Sequence, residues 1–183
     1  GAGYNTAVGY NAGTGITTAT HNTLIGALAG DALTTGASNV AVGYNALSTD
    51  DVGQHNVAIG RDALATQNIA TAANTYNTAV GSQAGTAVTT GTLNTLVGGI
   101  AGDALTTGQQ NVAMGYGALS ADDVGSHSVA VGVNALLSQN FATGTNSYNT
   151  AVGSGAGSAV TTGIQNTFIG GGAGDAVTDA DMN

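Results

Sequence analysis

Apolar and polar positions alternate in one nine-residue phrase that runs through the whole chain. It begins at Asn5, Asn22, Asn39, Asn56, Asn77, Asn94, Asn111, Ser128, Asn149 and Asn166, and its first copy reads Asn-Thr-Ala-Val-Gly-Tyr-Asn-Ala-Gly. The copies are spaced 17, 17, 17, 21, 17, 17, 17, 21 and 17 residues apart. A fixed short period of this kind marks a stack of like units rather than a globular domain. Positions two and four share one face of an extended segment, and position three faces the other way. Position four is always a medium apolar residue: Val8, Ile25, Val42, Ile59, Val80, Val97, Met114, Val131, Val152 and Ile169. A β-branched residue there favours extended backbone. This unbroken column is the candidate core. The invariant fifth position holds Gly9, Gly26, Gly43, Gly60, Gly81, Gly98, Gly115, Gly132, Gly153 and Gly170. They are expected to align in one column, where the chain turns or approaches its neighbour closely.

A slower rhythm lies above the first. Position two reads Thr, Thr, Val, Val and repeats, while position nine reads Gly, Gly, Leu, Leu in step with it. Two kinds of coil therefore alternate in pairs, and four coils make a 72-residue super-repeat: 5–76, 77–148 and a partial third copy, 149–183. The covariation implies a shared packing environment, filled by volume in one kind and left slimmer in the other.

A helical reading fails. Glycine makes up 31 of 183 residues, threonine is abundant, and no apolar stripe of period 3.6 appears. A 17-residue turn fits two short strands joined by two tight bends. Strands stacked at about 4.8 Å would make ten coils a rod of about 48 Å. The first-position asparagines would stack in a ladder and hydrogen-bond along it. The pattern predicts an all-β parallel β-roll, or β-solenoid, spanning 1–183 as one segment of a longer fibre.

Composition narrows the function. There is one Lys or Arg against ten Asp, and the net charge is −9. Nucleic-acid binding needs cations to displace counterions, and docking on anionic membranes needs them too; both are excluded as expectations. No run of 18 apolar residues is present for membrane insertion. Cysteine is absent, which fits an extracellular protein stabilised by repetition rather than disulfides. One 17-residue coil encloses little, and its apolar residues are small, so a second burial surface is needed. Self-association as a homotrimer is the expected source.

Asn-Val-Ala-Val-Gly-Tyr-Asn-Ala-Leu at 39–47 and Asn-Val-Ala-Ile-Gly-Arg-Asp-Ala-Leu at 56–64 resemble the head repeats of trimeric autotransporter adhesins. The variant Asn-Thr-Ala-Val-Gly also looks like repeats of bacteriophage tail-fibre proteins. The resemblance covers nearly the whole chain. It implies a left-handed parallel β-roll with three chains wound side by side, at the surface of a virion or a cell. The coil here is longer than the family's habit, and the super-repeat is a further departure.

The candidate sites are few. Asp50-Asp51 and Asp122-Asp123 stand 72 residues apart on the same coil of successive super-repeats. Paired carboxylates can serve Ca²⁺, which needs six to eight oxygens, but the plainer reading is a solvated acidic turn, and no metal or cofactor is assigned. His21, His55 and His127 directly precede a repeat, where Tyr4, Tyr76 and Tyr148 stand elsewhere; they read as flank residues packing on the next coil. Threonine pairs such as Thr17-Thr18 and Thr34-Thr35 could form an ice-binding array, but the Val-type coils interrupt it. Adjacent Asp residues in a strand point opposite ways, and no Ser-His-Asp order is legible, so catalysis is not expected. The insertions within Gln67–Tyr76 and Gln139–Tyr148 break the period at matching places. Insertions in solenoids map to loops, often on the binding face. Ile69, Tyr76, Phe141 and Tyr148 are therefore the receptor-contact candidates, expected to project from the rod toward a cell-surface glycan or protein. The alternative is that each insertion is a spacer that corrects twist. The expected role is an extracellular structural fibre segment, as in a phage tail fibre, for display and host attachment. A bacterial adhesin head and a self-assembled filament are the alternatives.

Overall fold

A computed structural model describes residues 3–182. Among these there is no helix, and ten three-residue strands follow one another: β1 Thr6–Val8, β2 Thr23–Ile25, β3 Val40–Val42, β4 Val57–Ile59, β5 Thr78–Val80, β6 Thr95–Val97, β7 Val112–Met114, β8 Val129–Val131, β9 Thr150–Val152 and β10 Thr167–Ile169. They form one parallel sheet in sequence order. Each phrase position pairs with the same position of the next copy: Thr6 with Thr23, and Val57 with Thr78 across the first insertion. The chain is a parallel β-solenoid of ten coils.

Each coil has one strand rather than the expected two. The rest is turn, because three positions per coil adopt left-handed backbone. The residue before each phrase does so throughout, from Tyr4 (φ 62°) to Gln165 (φ 59°). The seventh and ninth positions do so too, at Asn45 (59°) and Leu47 (52°) for example. These residues bend the chain on either side of each strand, and no second strand forms in the rest of the coil. The fifth-position glycines align as expected. A Cβ on Gly98 would lie 2.4 Å from the Gly115 carbonyl oxygen, and φ there is +137°, so only glycine fits.

The position-four column is not the core. Val8, Ile25, Ile59, Met114, Val152 and Ile169 are exposed, and Val42, Val80, Val97 and Val131 are half-buried. The inward side chain is the third: Ala41, Ala58, Ala79, Leu96, Ala113 and Ala130 are fully buried. The first-position asparagine sets this phase. Its side chain turns inward, so position three follows it and positions two and four face out. The asparagine ladder explains why a polar residue leads inward. The Asn39 N–H donates to Asn22 Oδ1 (2.9 Å), and Asn39 Nδ2 donates to the Gly53 carbonyl of its own coil (2.9 Å). The same pair of bonds recurs at Asn94 and Asn111. Buried amides satisfied on both sides tie each coil to its neighbour and close its own ring.

The core is filled in two ways. In the Thr-type coils, position nine is glycine and the residue three further on is apolar: Ile16, Leu33, Val88, Leu105, Val160 and Val177. One large third-position side chain serves each pair of such coils. A Cβ on Gly85 would lie 2.6 Å from Leu96 Cδ1, and one on Gly102 would lie 2.8 Å from Leu96 Cδ2. Leu24 and Phe168 crowd Gly30 and Gly157 in the same way. In the Val-type coils, position three is alanine, position nine is a buried leucine (Leu47, Leu64, Leu119, Leu136), and the residue three further on is Asp50, Gln67, Asp122 or Gln139. Close-packed volume is conserved by moving the leucine from one wall to the other.

Candidate functional site

Two places depart from uniform stacking, and each lies at an insertion. The first is built by the third and fourth coils and the second by the seventh and eighth. Each insertion has buried feet and an exposed tip. Gln67 and Thr75 are fully buried, and Ile69 is only 8% exposed, whereas residues 70–74 are exposed. In the second copy Gln139 and Ser147 are buried and Phe141 is 5% exposed, while residues 142–144 and Asn146 are exposed. The expectation that Ile69 and Phe141 project is thereby corrected. A bulge leaves the coil wall open, and an apolar side chain at its base covers the gap. Tyr76 and Tyr148 do reach solvent, at 49% and 51% exposure.

Aromatic rings pair beside the tips, stacked at the first insertion and tilted by 39° at the second. His55 lies on Tyr76 with ring centroids 5.1 Å apart, and His127 on Tyr148 at 5.0 Å. A third pair, Tyr4 and His21, stands 5.3 Å apart at the first coil, away from any insertion. Stacking on the adjacent coil is the role read from sequence. The Asn74 amide donates to the Tyr76 hydroxyl (3.1 Å), so loop tip and ring form one surface. His55, Asn74 and Tyr76 recur as His127, Asn146 and Tyr148 four coils on, or about 19 Å along the rod at 4.8 Å per coil.

Beneath each tip lies a buried polar cluster. Asp50 is fully buried, not a solvated turn residue. Its Oδ1 accepts the Gly53 N–H (2.9 Å), and its Oδ2 accepts Gln67 Nε2 (2.6 Å) and Asn56 Nδ2 (3.5 Å). Gln67 Oε1 in turn accepts Asn77 Nδ2 (2.8 Å). The Thr75 hydroxyl donates to Asn56 Oδ1 (2.7 Å). The insertion explains the cluster. Asn56 would find its carbonyl acceptor 14 residues on, at Ala70, but that residue is carried outward in the loop. Asp50 from the coil below and Thr75 from the returning strand complete its bonding instead. In the second copy Asp122 accepts the Gly125 N–H (2.9 Å) and Gln139 Nε2 (2.6 Å). Ser128 and Ser147 replace Asn56 and Thr75 and meet at 2.5 Å. The smaller serines accompany the larger Phe141 in place of Ile69. Burial pushes the carboxyls of Asp50 and Asp122 above the ordinary value of 3.8, although the Gln67 and Gln139 amides pull the other way.

Asp51 and Asp123 do not join their neighbours. The Asp51 carbonyl accepts the N–H groups of Thr34, Thr35 and Gly36, and its side chain makes no bond to the cluster, with a buried Oδ1 that has no partner. Asp50 is ringed by N–H donors, so its oxygens are spent on them rather than turned toward a cation. Among the described residues no three His, Cys, Asp or Glu side chains converge as a metal site, and the surface carries no pocket. The Thr17, Thr34, Thr89 and Thr106 hydroxyls donate to carbonyls of the next coil, at 3.0, 3.1, 3.1 and 2.9 Å. They serve the stack and do not form a free array. Sequence reading missed the Asp50–Gln67 pair, yet a signal existed: Asp and Gln stand where Leu33 and Val88 stand in the other coils.

The outer sheet face is the second candidate surface. Positions two and four line it with Thr or Val and with Val, Ile or Met for the length of the stack. The chain's one Arg or Lys, Arg61, lies beyond the end of β4 and pairs with Asp62 at 2.6 Å. Comparison with protein-family models, with curated proteins and with solved structures gives no match to this chain.

Proposed function

We propose that this chain is a segment of an extracellular fibre, of the kind found in phage tail fibres, which displays repeated contact points and attaches to a host-cell surface. The observation that carries the reading is the ten-coil stack whose sheet face bears an unbroken column of Val, Ile and Met, half-buried to exposed, beside a column of Thr or Val. A soluble monomer rarely leaves so long an apolar stripe bare. Three chains packing these faces around a common axis bury it and give a rod whose other faces remain in water. Native mass spectrometry of the purified chain is expected to give three copies. A stable monomer at micromolar concentration contradicts the reading. Val80→Asp, on this face, is expected to dissociate the assembly, because it places a charge in an apolar interface.

Attachment is assigned to the His55–Asn74–Tyr76 and His127–Asn146–Tyr148 surfaces. Half-exposed phenol rings beside amides suit a neutral cell-surface glycan: the ring packs on sugar C–H groups and the amide bonds to hydroxyls. Single contacts of this kind are weak, and repetition along the rod and across three chains raises avidity. A Tyr76→Ala, Tyr148→Ala fibre is expected to lose binding to cells while keeping its melting temperature within a few degrees. Undiminished binding removes these surfaces from the account. Loss of binding on protease treatment of the cells, but not on glycosidase treatment, assigns the receptor to protein instead.

A further inference from the structure

We infer that Asp50 and Asp122 are acid-responsive latches under the two insertions: ionised, each carboxylate fixes the orientation of one buried glutamine, and protonated, it lets that amide turn over while the coil stack gains stability. Only donors meet the Asp50 carboxylate: the Gly53 N–H, Gln67 Nε2 and Asn56 Nδ2, with the Val52 N–H beside them. That set fits a charged acceptor and has no place for a carboxyl proton. Yet the group is fully buried, and no cation faces it. The chain's one arginine is paired with Asp62, and the charge that acts on Asp50 is the like charge of Asp51, as that of Asp123 acts on Asp122. The coil below offers Leu33 at the matching position and the coil above offers Gln67.

A buried carboxylate without a counter-charge costs free energy even when hydrogen-bonded. When it takes a proton, the new O–H needs an acceptor, and the one within reach is the Gln67 side-chain oxygen. Rotating that amide by half a turn presents it. The rotation withdraws Oε1 from Asn77 Nδ2, which keeps its bond to the Gly91 carbonyl (2.7 Å). Thus the first foot of the loop changes partners while the asparagine ladder stays whole. Gln139, Asp122, Asn149 and the Gly163 carbonyl (2.7 Å) repeat the arrangement, except that Gln139 Nε2 also donates to Ser128 Oγ (2.7 Å) and gives up that bond when it turns.

The direction with pH follows from burial. Both groups hold protons more tightly in the folded chain than in the unfolded one, where they titrate near 3.8. Above 3.8 the folded state therefore binds more protons, and stability rises as pH falls from neutral toward 4. Below that value the two groups add nothing more. Each contributes up to about tenfold per pH unit to the folding equilibrium, so the pair contributes up to about a hundredfold per pH unit per chain. Burial also raises Asp103, which adds to the wild-type trend without touching either latch.

The test is a carboxyl and side-chain-amide NMR titration of the intact assembly between pH 3 and 8, with resonances assigned by Asp50→Asn and Asp122→Asn. The Asp50 and Asp122 carboxyls are expected to titrate above 3.8, as Asp103 also does, and the Gln67 and Gln139 amide resonances to shift with the midpoints of Asp50 and Asp122. Carboxyls titrating at or below 3.8 overturn the inference, and so do amides that stay fixed while the carboxyls titrate. Urea unfolding at pH 7 and pH 4.5 gives a second readout that needs no variant. Wild-type stability is expected to be higher at pH 4.5, and a fall contradicts the latch. If the double variant folds, its gain on acidification is expected to shrink to the part due to Asp103 and the exposed Asp.

Discussion

Two kinds of coil share one backbone and fill it differently. The coil of β6 holds Leu96, Gly102 and Leu105 in its core, whereas that of β3 holds Ala41, Leu47 and Asp50. The leucine enters from the strand in the first and from the turn in the second. The second arrangement places a leucine in left-handed backbone (φ 52° at Leu47), which costs about 1 kcal/mol, and buries a carboxylate. It occurs only next to the insertions. The difference teaches that the polar coils are not imperfect copies of the apolar ones. They are the price of letting the chain leave the wall and return: Asp50 Oδ2 takes the place of the backbone acceptor that the loop carries away from Asn56, while Gln67 donates to Asp50 and Thr75 donates to Asn56 Oδ1.

The largest effect is expected where the two kinds agree. Gly98→Ala drives a Cβ into the Gly115 carbonyl and should cost upwards of about 3 kcal/mol, read as a lower urea midpoint at unchanged slope. Gly155→Ala, where nothing lies within 4 Å despite a positive φ, should cost about 1 kcal/mol. Equal losses would mean that backbone conformation, not the close approach of coils, demands the column.

Next come changes to the feet of the loops. Phe141→Ala removes a buried ring and should cost about 3–5 kcal/mol, and Ile69→Ala about 2–4. A loss under about 0.5 kcal/mol at both would show that these side chains do not close the wall. Gln139→Leu strips Asp122 of its nearest donor (2.6 Å). It should cost about 2–3 kcal/mol at pH 7 and less as pH falls, because burial makes Asp122 hold its proton more readily than an ordinary carboxyl. A loss independent of pH would assign the glutamine to packing alone. The smallest effect is expected at the tips, where Ala72→Ser should change stability by less than about 0.5 kcal/mol.

How much of this was legible in the sequence follows from what periodicity encodes. The period gave the stack, its coil number, the glycine column and the asparagine ladder, because each is repeated ten times. It misplaced Val8 to Ile169, because alternation tells which side chains share a face but not which face is inside; the inward Asn22 and Asn39 set that phase through bonds to carbonyls 14 residues on. Ile69 and Phe141 were misread as projecting, since an apolar residue in a loop looks the same in sequence whether it plugs a gap or faces water. The pairing of position two with position nine is plain in the sequence. The fuller rule also involves position three and the residue three beyond position nine, and it had been visible in Leu24, Leu96 and Phe168 as exceptions.

The claim that one volume is filled from either wall is tested most directly by a double-mutant cycle of Leu96→Ala and Gly85→Leu, measured by urea unfolding. The first alone opens a cavity and should cost about 2–5 kcal/mol. The second alone forces a side chain onto Leu96 and should cost about 1–3 kcal/mol. Together they recreate the alanine-and-leucine filling of the β3 coil, and the double variant is expected to be more stable than the sum of the two losses by at least about 1 kcal/mol. Losses that add to within about 0.5 kcal/mol would contradict the account.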